Sequence, residues 1–394
     1  MEDVLKHGKH TEITLEGILK SNRKLGSRDR RFIATSVFEI IRHWRLFSEI
    51  AKKLPSANLS QWEKLTLIHC VINGSIYPNW APEFDGLENE TRQLKFEFIN
   101  SPAILYSVPD WIHQKGVEQF GVDSWSSILI GLNQQPKIVI RINSLRADPD
   151  LVQKELQANN IQLIPLSSEF TKIHGAIHNA AELSSRIVFK SLKSFNQGCF
   201  EIQDAGSQLI APFLAPKAGE YIIDACCGAG GKTLHLADLM NNQGKILAMD
   251  IHASKLKTLK ARAFRANVGI IEYAVCAETR IAEETNRADG LLLDVPCSGS
   301  GTMKRQVDIK WKTSEDQIAK YCSLQERILN DYCLMVKPNG RLVYATCSIW
   351  GEENHLQIKR FLANHPEFVL DSEKQVLPSE GYDGFYMARL RRIS

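Results

Sequence analysis

Residues Tyr221–Thr233 read Y-I-I-D-A-C-C-G-A-G-G-K-T, a short apolar run that breaks into a glycine-rich loop and then a helix-forming stretch. A strand that turns at once into a helix is where open α/β sheets hold ligands, because loop and helix amides gather at the carboxyl end of the strand. Gly228, Gly230 and Gly231 let the backbone turn tightly and approach a ligand that side chains would exclude. A nucleotide P-loop requires a glycine where Cys226 stands, and a dinucleotide fingerprint requires one where Thr233 stands, so both patterns fail on spacing. A phosphate-free nucleoside cofactor fits better: Asp250 closes the next apolar run twenty residues beyond Gly230, where an acid hydrogen-bonds ribose hydroxyls. S-adenosyl-L-methionine carries such a ribose. A merely tight turn with an exposed acid is the structural alternative.

Outward from this loop, strand and helix patterns alternate from about Gly198: Y-I-I-D, a helix over 230–240, K-I-L-A-M-D ending at Asp250, a helix over 254–266, L-L-L-D ending at Asp294, a helix over 315–336, and R-L-V-Y-A-T ending at Thr346. Apolar strands alternating with helices predict a doubly wound, Rossmann-like α/β domain with a parallel sheet covered on both faces. Two of its strands run into cysteines. D-V-P-C-S-G-S-G (294–301) brings Cys297 and A-T-C-S (345–348) brings Cys347 to the sheet edge that carries the glycine loop. A single buried cysteine is usually packing; two at strand ends facing one crevice suggest chemistry.

Carbon 5 of cytosine is too weak a nucleophile to attack a methyl sulfonium unaided. A thiolate that adds to carbon 6 pushes electrons toward carbon 5, and loss of the carbon 5 proton later expels the thiolate. Asp294 is placed to bond the ring nitrogen and exocyclic amine of such a base, where charge develops.

Before residue 198 the character differs. Ile33, Val37, Ile40, Ile41, Trp44 and Phe47 recur at helical spacing, Ser27 and Asp29 mark a helix start, and Trp62–Val71 repeats the pattern. K-I-V-I-R-I-N (137–143), a helix over 148–158 and a short strand over 161–165 predict a small α+β module. The expected organisation is a helical domain over 1–98, a helical linker with an RRM-like α+β RNA-binding module over 99–197, and the α/β domain over 198–394.

Hydrophobic residues at 44% and charged residues at 24% describe an ordinary globular chain of 394 residues. With no long apolar run and a charged start, cytoplasmic location without membrane association is expected. The nine cysteines show no zinc spacing, so reduced thiols and no metal are expected. The net charge of +3 is uninformative, but residues 1–60 hold twelve Lys and Arg against seven Asp and Glu. Lys304, Arg305, Lys310 and Lys312 lie close in sequence to the cysteine strands and are candidates for tracking RNA phosphates, with Trp311 stacking or packing.

These motifs together resemble the RNA cytosine-5 methyltransferases of the RsmB/NOL/NSUN superfamily. The resemblance rests on the glycine loop, L-L-L-D-V-P-C-S-G-S-G, D-I-K-W (308–311), L-Q-E-R-I-L (324–329), Y-A-T-C-S with E-E-N (352–354), and the closing D-G-F-Y-M-A-R-L. It implies that Cys347 is the nucleophile and that Cys297 assists product release. DNA cytosine methyltransferases attack with the Pro-Cys cysteine, so the presence of both argues for RNA. The resemblance carries the cofactor contacts to Cys226, Cys227, Gly228, Ala229, Gly230, Gly231, Lys232, Asp250 and Asp294, with Glu278 where an aspartate is common.

Ala229 replaces a usual proline, which puts the stiffness of the loop in question; Val307 likewise stands where proline is frequent. The helical front, with D-R-R-F-I-A-T-S-V-F-E-I-I-R (29–42), resembles the NusB-like extension of RsmB-type enzymes, which implies 16S ribosomal RNA as substrate; a monomer is expected. V-P-D-W-I (108–112) and R-I-N-S-L (141–145) resemble the RNA-binding insert of that group. A transfer RNA target, and a catalytically silent RNA-binding or assembly factor with the same fold, are the alternatives.

Overall fold

The computed structural model of the chain describes residues 1–54, 59–74, 87–146, 149–276 and 278–394. Asp148, the expected start of a helix, and Ala277 lie outside the described residues. The chain divides into two compact units, one formed by 1–135 with 303–313 and the other by 136–302 with 314–394. Among the described residues no helix is long and apolar enough to cross a membrane.

The first unit is helical. The periodic stretch after Arg30 forms two helices, Ser27–Arg42 and Trp44–Lys53, broken at His43. Asp29 accepts the Gly26 N–H at 3.1 Å and so fixes the entry of the first. Ser60 caps Gln61–Ile72 through a reciprocal pair with Glu63. Ile40, Phe47, Ile50, Leu65 and Ile68 form its centre, all at most 1% exposed. Each such side chain contributes about 1.5–3 kcal/mol by leaving water.

The segment 303–313 belongs to this unit. Val307 packs with Val4 and Ile41, and the indole N–H of Trp311 donates to the Ile41 carbonyl at 2.8 Å, so Trp311 packs.

The second unit holds two sheets. The smaller has strands β1 (Val139–Ile142), β2 (Leu163–Ile164), β3 (Ala180–Leu183) and β4 (Phe200–Ile202) in the order β2-β3-β1-β4, all antiparallel. Because β4 pairs with β1, the expected boundary at 198 cuts this sheet, and the helices Asp110–Phe120 and Val122–Asn133 fall in the first unit. Three residues of β4 are too few to carry a readable period.

The larger sheet comprises β5 (Tyr221–Asp224), β6 (Lys245–Asp250), β7 (Ile271–Val275), β8 (Ala288–Asp294), β9 (Val336–Thr346), β10 (Phe368–Val376) and β11 (Phe385–Arg392) in the order β10-β11-β9-β8-β5-β6-β7. Strands β5 to β9 are parallel, as the strand–helix rhythm predicts; β10 and β11 add an antiparallel edge. The chain winds outward through β6 and β7, then returns to place β8 on the other side of β5. That reversal opens a crevice above the carboxyl ends of β5 and β8.

Candidate functional site

Four segments converge on this crevice: the loops after β5, β6, β8 and β9. The first is the glycine loop. The Cys227 N–H donates to the Met249 carbonyl at 3.0 Å and the Gly228 N–H to Asp250 Oδ2 at 3.0 Å, tying the loop to the end of β6. Gly230 sits at φ +86°, and a Cβ there would lie 2.0 Å from Leu259 Cδ1, so only glycine lets the loop settle on the helix Ala253–Ala266. Where Ala229 replaces proline, Arg262 donates to its carbonyl at 2.7 Å, an external tether in place of the stiffness of a ring.

Asp250 is 6% exposed, and its Oδ1 accepts the His252 N–H at 2.8 Å. Both carboxylate oxygens are thus oriented by backbone amides, and each keeps a lone pair for a ribose hydroxyl. Apart from adjoining backbone, nothing stands within 4 Å of where a Cβ on Gly228 or Gly231 would be, so the loop leaves a cradle of open space.

Beneath the loop, Asp224 is fully buried, accepts the Thr233 hydroxyl at 2.7 Å, and is pushed up to about 7 by burial. Burial among Asp224, Asp294 and Asp250 likewise pushes the Cys226 thiol well up, and burial raises Cys227. Neither is a thiolate at neutral pH, which fits contact roles and not nucleophilic ones. These residues fit a ribose-bearing cofactor that has no phosphates. Glu278 is exposed at the start of the helix Glu278–Glu283, beyond β7.

At the switch point, Lys232 forms an ion pair with Asp294. Burial opposes the Lys232 charge, but Asp294 more than compensates and raises its pKa, so the ammonium persists in the crevice. Cys297 and Cys347 lie 3.3 Å apart, sulfur to sulfur, at the ends of neighbouring parallel strands. Contact with Cys347 and burial hold the Cys297 thiol well above its ordinary value. Both sulfurs are half-buried and free of disulfides.

A buried carboxylate binds the two cysteine loops together. Glu353, 0% exposed, accepts the Ser298 N–H at 2.8 Å, the Ser298 hydroxyl at 2.5 Å, the Ser348 hydroxyl at 2.5 Å and the Gln325 amide at 3.1 Å. Asn354 accepts the Thr346 hydroxyl at 2.6 Å and donates to the Ser348 carbonyl at 2.9 Å. Gly301 donates to the Cys347 carbonyl at 2.9 Å and accepts the Gly384 N–H at 2.8 Å, which brings the D-G-F-Y stretch against the same loops. Sequence reasoning quoted E-E-N only as part of a pattern; nothing local sets Glu353 apart from the adjacent Glu352, and only the fold shows which of the two acids is buried among donors.

The structure gathers the loop residues, Asp250, Asp294, Lys232 and both cysteines. It does not gather the candidate RNA contacts. Lys304 and Lys310 are 1% and 0% exposed within the helical unit, and Arg305 is half-buried there. Lys310 donates to Asn133 Oδ1 at 2.6 Å and to the Arg42 carbonyl at 3.3 Å, so the reading of these lysines as phosphate contacts is corrected: they are internal. Arg141 of R-I-N-S-L is also internal, 2% exposed and paired with Asp238 at 2.9 Å.

Residues 211–391 match the family described as 16S rRNA methyltransferase RsmB/F, and residues 108–171 match an RsmF/B-like ferredoxin-like domain. The chain is 30% identical to the probable ribosomal RNA small subunit methyltransferase B of Bacillus subtilis, over 82% of this chain and 73% of that protein. It is 27% identical to the probable enzyme of the same description from Synechocystis, over 100% of this chain and 97% of that one. A methyltransferase homologue from Pyrococcus horikoshii superposes with a TM-score of 0.64 at 25% identity, over 74% of this chain and 98% of that structure. With its crevice, paired cysteines and sheet order accounted for, this chain belongs to the RsmB/F family of 16S rRNA methyltransferases.

Proposed function

We propose that this protein methylates carbon 5 of a cytosine in small-subunit ribosomal RNA through a covalent bond to Cys347. The observation that carries the reading is the pair of thiols 3.3 Å apart at adjacent strand ends, beside the Asp294–Lys232 pair. S-adenosylmethionine supplies an electrophilic methyl group on a sulfonium sulfur. The glycine loop and Asp250 hold its ribose end, with Glu278 at the rim as a candidate adenosine contact.

The Cys347 thiolate adds to carbon 6 of the base, forming an S–C6 bond and moving the C5–C6 π electrons to carbon 5, which takes the methyl group while the electron pair of the broken S–CH3 bond stays with the departing thioether. Asp294 accepts from the exocyclic amine, while the Lys232 ammonium paired with it is the donor that offsets negative charge developing at the ring nitrogen. Loss of the carbon 5 proton to a base restores the C5–C6 double bond, and the S–C6 electron pair returns to sulfur. Cys297, protonated and touching Cys347, is placed to assist that departure. The target base must be unpaired or flipped to meet a thiol from above its face.

The test uses protein-free small-subunit ribosomal RNA with labelled S-adenosylmethionine. Cys347→Ala should lower methyl transfer by roughly 10³-fold or more, as loss of a covalent nucleophile does elsewhere. Cys297→Ala should leave protein attached to RNA in denaturing gels. Equal mild losses for both variants, or a methylated position other than carbon 5, would overturn the reading.

A further inference from the structure

Resting on the methyl-transfer reading, we infer that the outer face of the helix Ala253–Ala266, together with the groove at its carboxyl end, is a second RNA contact that stacks a single-stranded base on Phe264. The helix reads A-S-K-L-K-T-L-K-A-R-A-F-R-A and carries five cations and no carboxylate. Leu256, Leu259, Ala263 and Ala266 bury one face completely. Lys257, Lys260 and Phe264 follow one another at helical spacing on the opposite, exposed face. Phe264 is 88% exposed, so it plays no part in the core.

A lone exposed apolar side chain means little by itself; its surroundings give it meaning. Phe264 lines a groove of about 670 Å³ with Arg146, Asn196, Gln197 and Asn267. Arg146, Lys257 and Lys260 pair with no carboxylate among the described residues, whereas Arg262 and Arg265 share the single carboxylate of Glu201. An open aromatic ring flanked by unpaired cations and side-chain amides matches the chemistry of single-stranded nucleic acid. The ring takes a base face, the cations take phosphates and the amides meet base edges. A protein partner would favour a broader apolar patch than one ring.

Phe264 lies about 16 Å along the helix from the end nearest Asp250, at 1.5 Å per residue. The contact therefore holds RNA away from the reacting cytosine, and its loss falls on affinity.

The test is filter binding of the full-length chain to protein-free small-subunit ribosomal RNA over a range of KCl concentrations, with steady-state methylation in parallel. Phe264→Ala should weaken Kd and KM about tenfold, the scale of one lost stacked base. Lys257→Gln with Lys260→Gln should reduce the slope of log K against log salt by about 1.4, near 0.7 per phosphate contact on single strands. Phe264→Tyr should restore binding. If the wild-type chain methylates the RNA and these variants keep its Kd, KM and salt slope, the surface assignment fails while methyl transfer stands. If the wild-type chain methylates no RNA, methyl transfer fails, and the binding assay still decides the surface.

Discussion

Glu353 takes hydrogen bonds from three separate segments, the Ser298 loop, Ser348 and Gln325, and so sets how the two sulfurs approach each other. It touches no reacting atom in this arrangement; it positions the residues that do. Glu353→Ala strands a backbone N–H, two hydroxyls and an amide in a dry site, and a shift of about 1 Å in a reacting group costs on the order of 10²-fold in rate. The expected result is a fall of that order in single-turnover methyl transfer, with S-adenosylmethionine affinity held within a factor of about two because the Asp250 loop is separately anchored. Glu353→Gln, which keeps two of the acceptor contacts, should recover part of the rate. Calorimetric titration alongside rapid quench separates the two quantities, and parallel losses in both would assign Glu353 to general stability. At this scale the cysteines, Asp250 and Asp294 were legible, because strand ends in an α/β sheet face one crevice and their neighbours are chemically restrictive. The role of Glu353 was not, since a sequence does not say which acid is surrounded by hydroxyls.

Strand β1 shows how far an element can differ from its sequence pattern. Val139, Ile140 and Ile142 are apolar as a strand should be, yet Arg141 between them is 2% exposed. Alternation alone places it in solvent; instead its guanidinium donates to Gln203 Oε1 at 2.9 Å and to Asp238 Oδ2 at 2.9 Å, joining the small sheet to the helix Gly231–Leu239. Ser144 also donates to Asp238, and Asn143 donates to the carbonyls of Gly198 at 2.9 Å and Ala266 at 3.1 Å. The residues that looked like an RNA surface are the seam that makes the α+β module and the α/β sheet one unit. Arg141→Ala leaves Asp238 buried without its partner, which costs about 3–5 kcal/mol. Chemical denaturation should show that loss, and Arg141→Met with Asp238→Leu should recover most of it; a loss below about 1 kcal/mol for Arg141→Ala would remove the seam. Strands β7 and β10 escaped sequence reading for a related reason. Both lie at sheet edges with mixed burial, so neither shows the continuous apolar run of β6 or β8.

At the scale of the whole molecule, the units are not consecutive stretches of chain: 303–313 leaves the α/β unit just after the Pro-Cys loop and completes the helical one. Charge counting along the sequence could not detect this, because a lysine reads the same whether it faces solvent or a wall of carbonyls. Burial, with the Arg42 cation acting in the same direction and Glu39 opposing, drives the Lys310 ammonium well below its ordinary 10.5. The folded chain therefore binds fewer protons at this site than the unfolded chain, whose lysine stays charged up to about 10.5. Stability rises with pH wherever the unfolded state holds more protons. The contribution of Lys310 thus grows as the solution becomes more alkaline and levels off near the unfolded value. Lys310→Met removes this titration and its hydrogen bonds together. Compared with the wild type, the variant should have its most favourable relative stability at the acid end of the accessible range. That advantage should shrink by up to about 1.4 kcal/mol per pH unit through the window between the two pKa values. Urea denaturation of both chains at several pH values measures the difference directly, with curves that stay parallel ruling out a neutral buried lysine. The same variant should keep the wild-type salt dependence of RNA binding, since an amine enclosed by Asn133 and the Arg42 carbonyl reaches no phosphate.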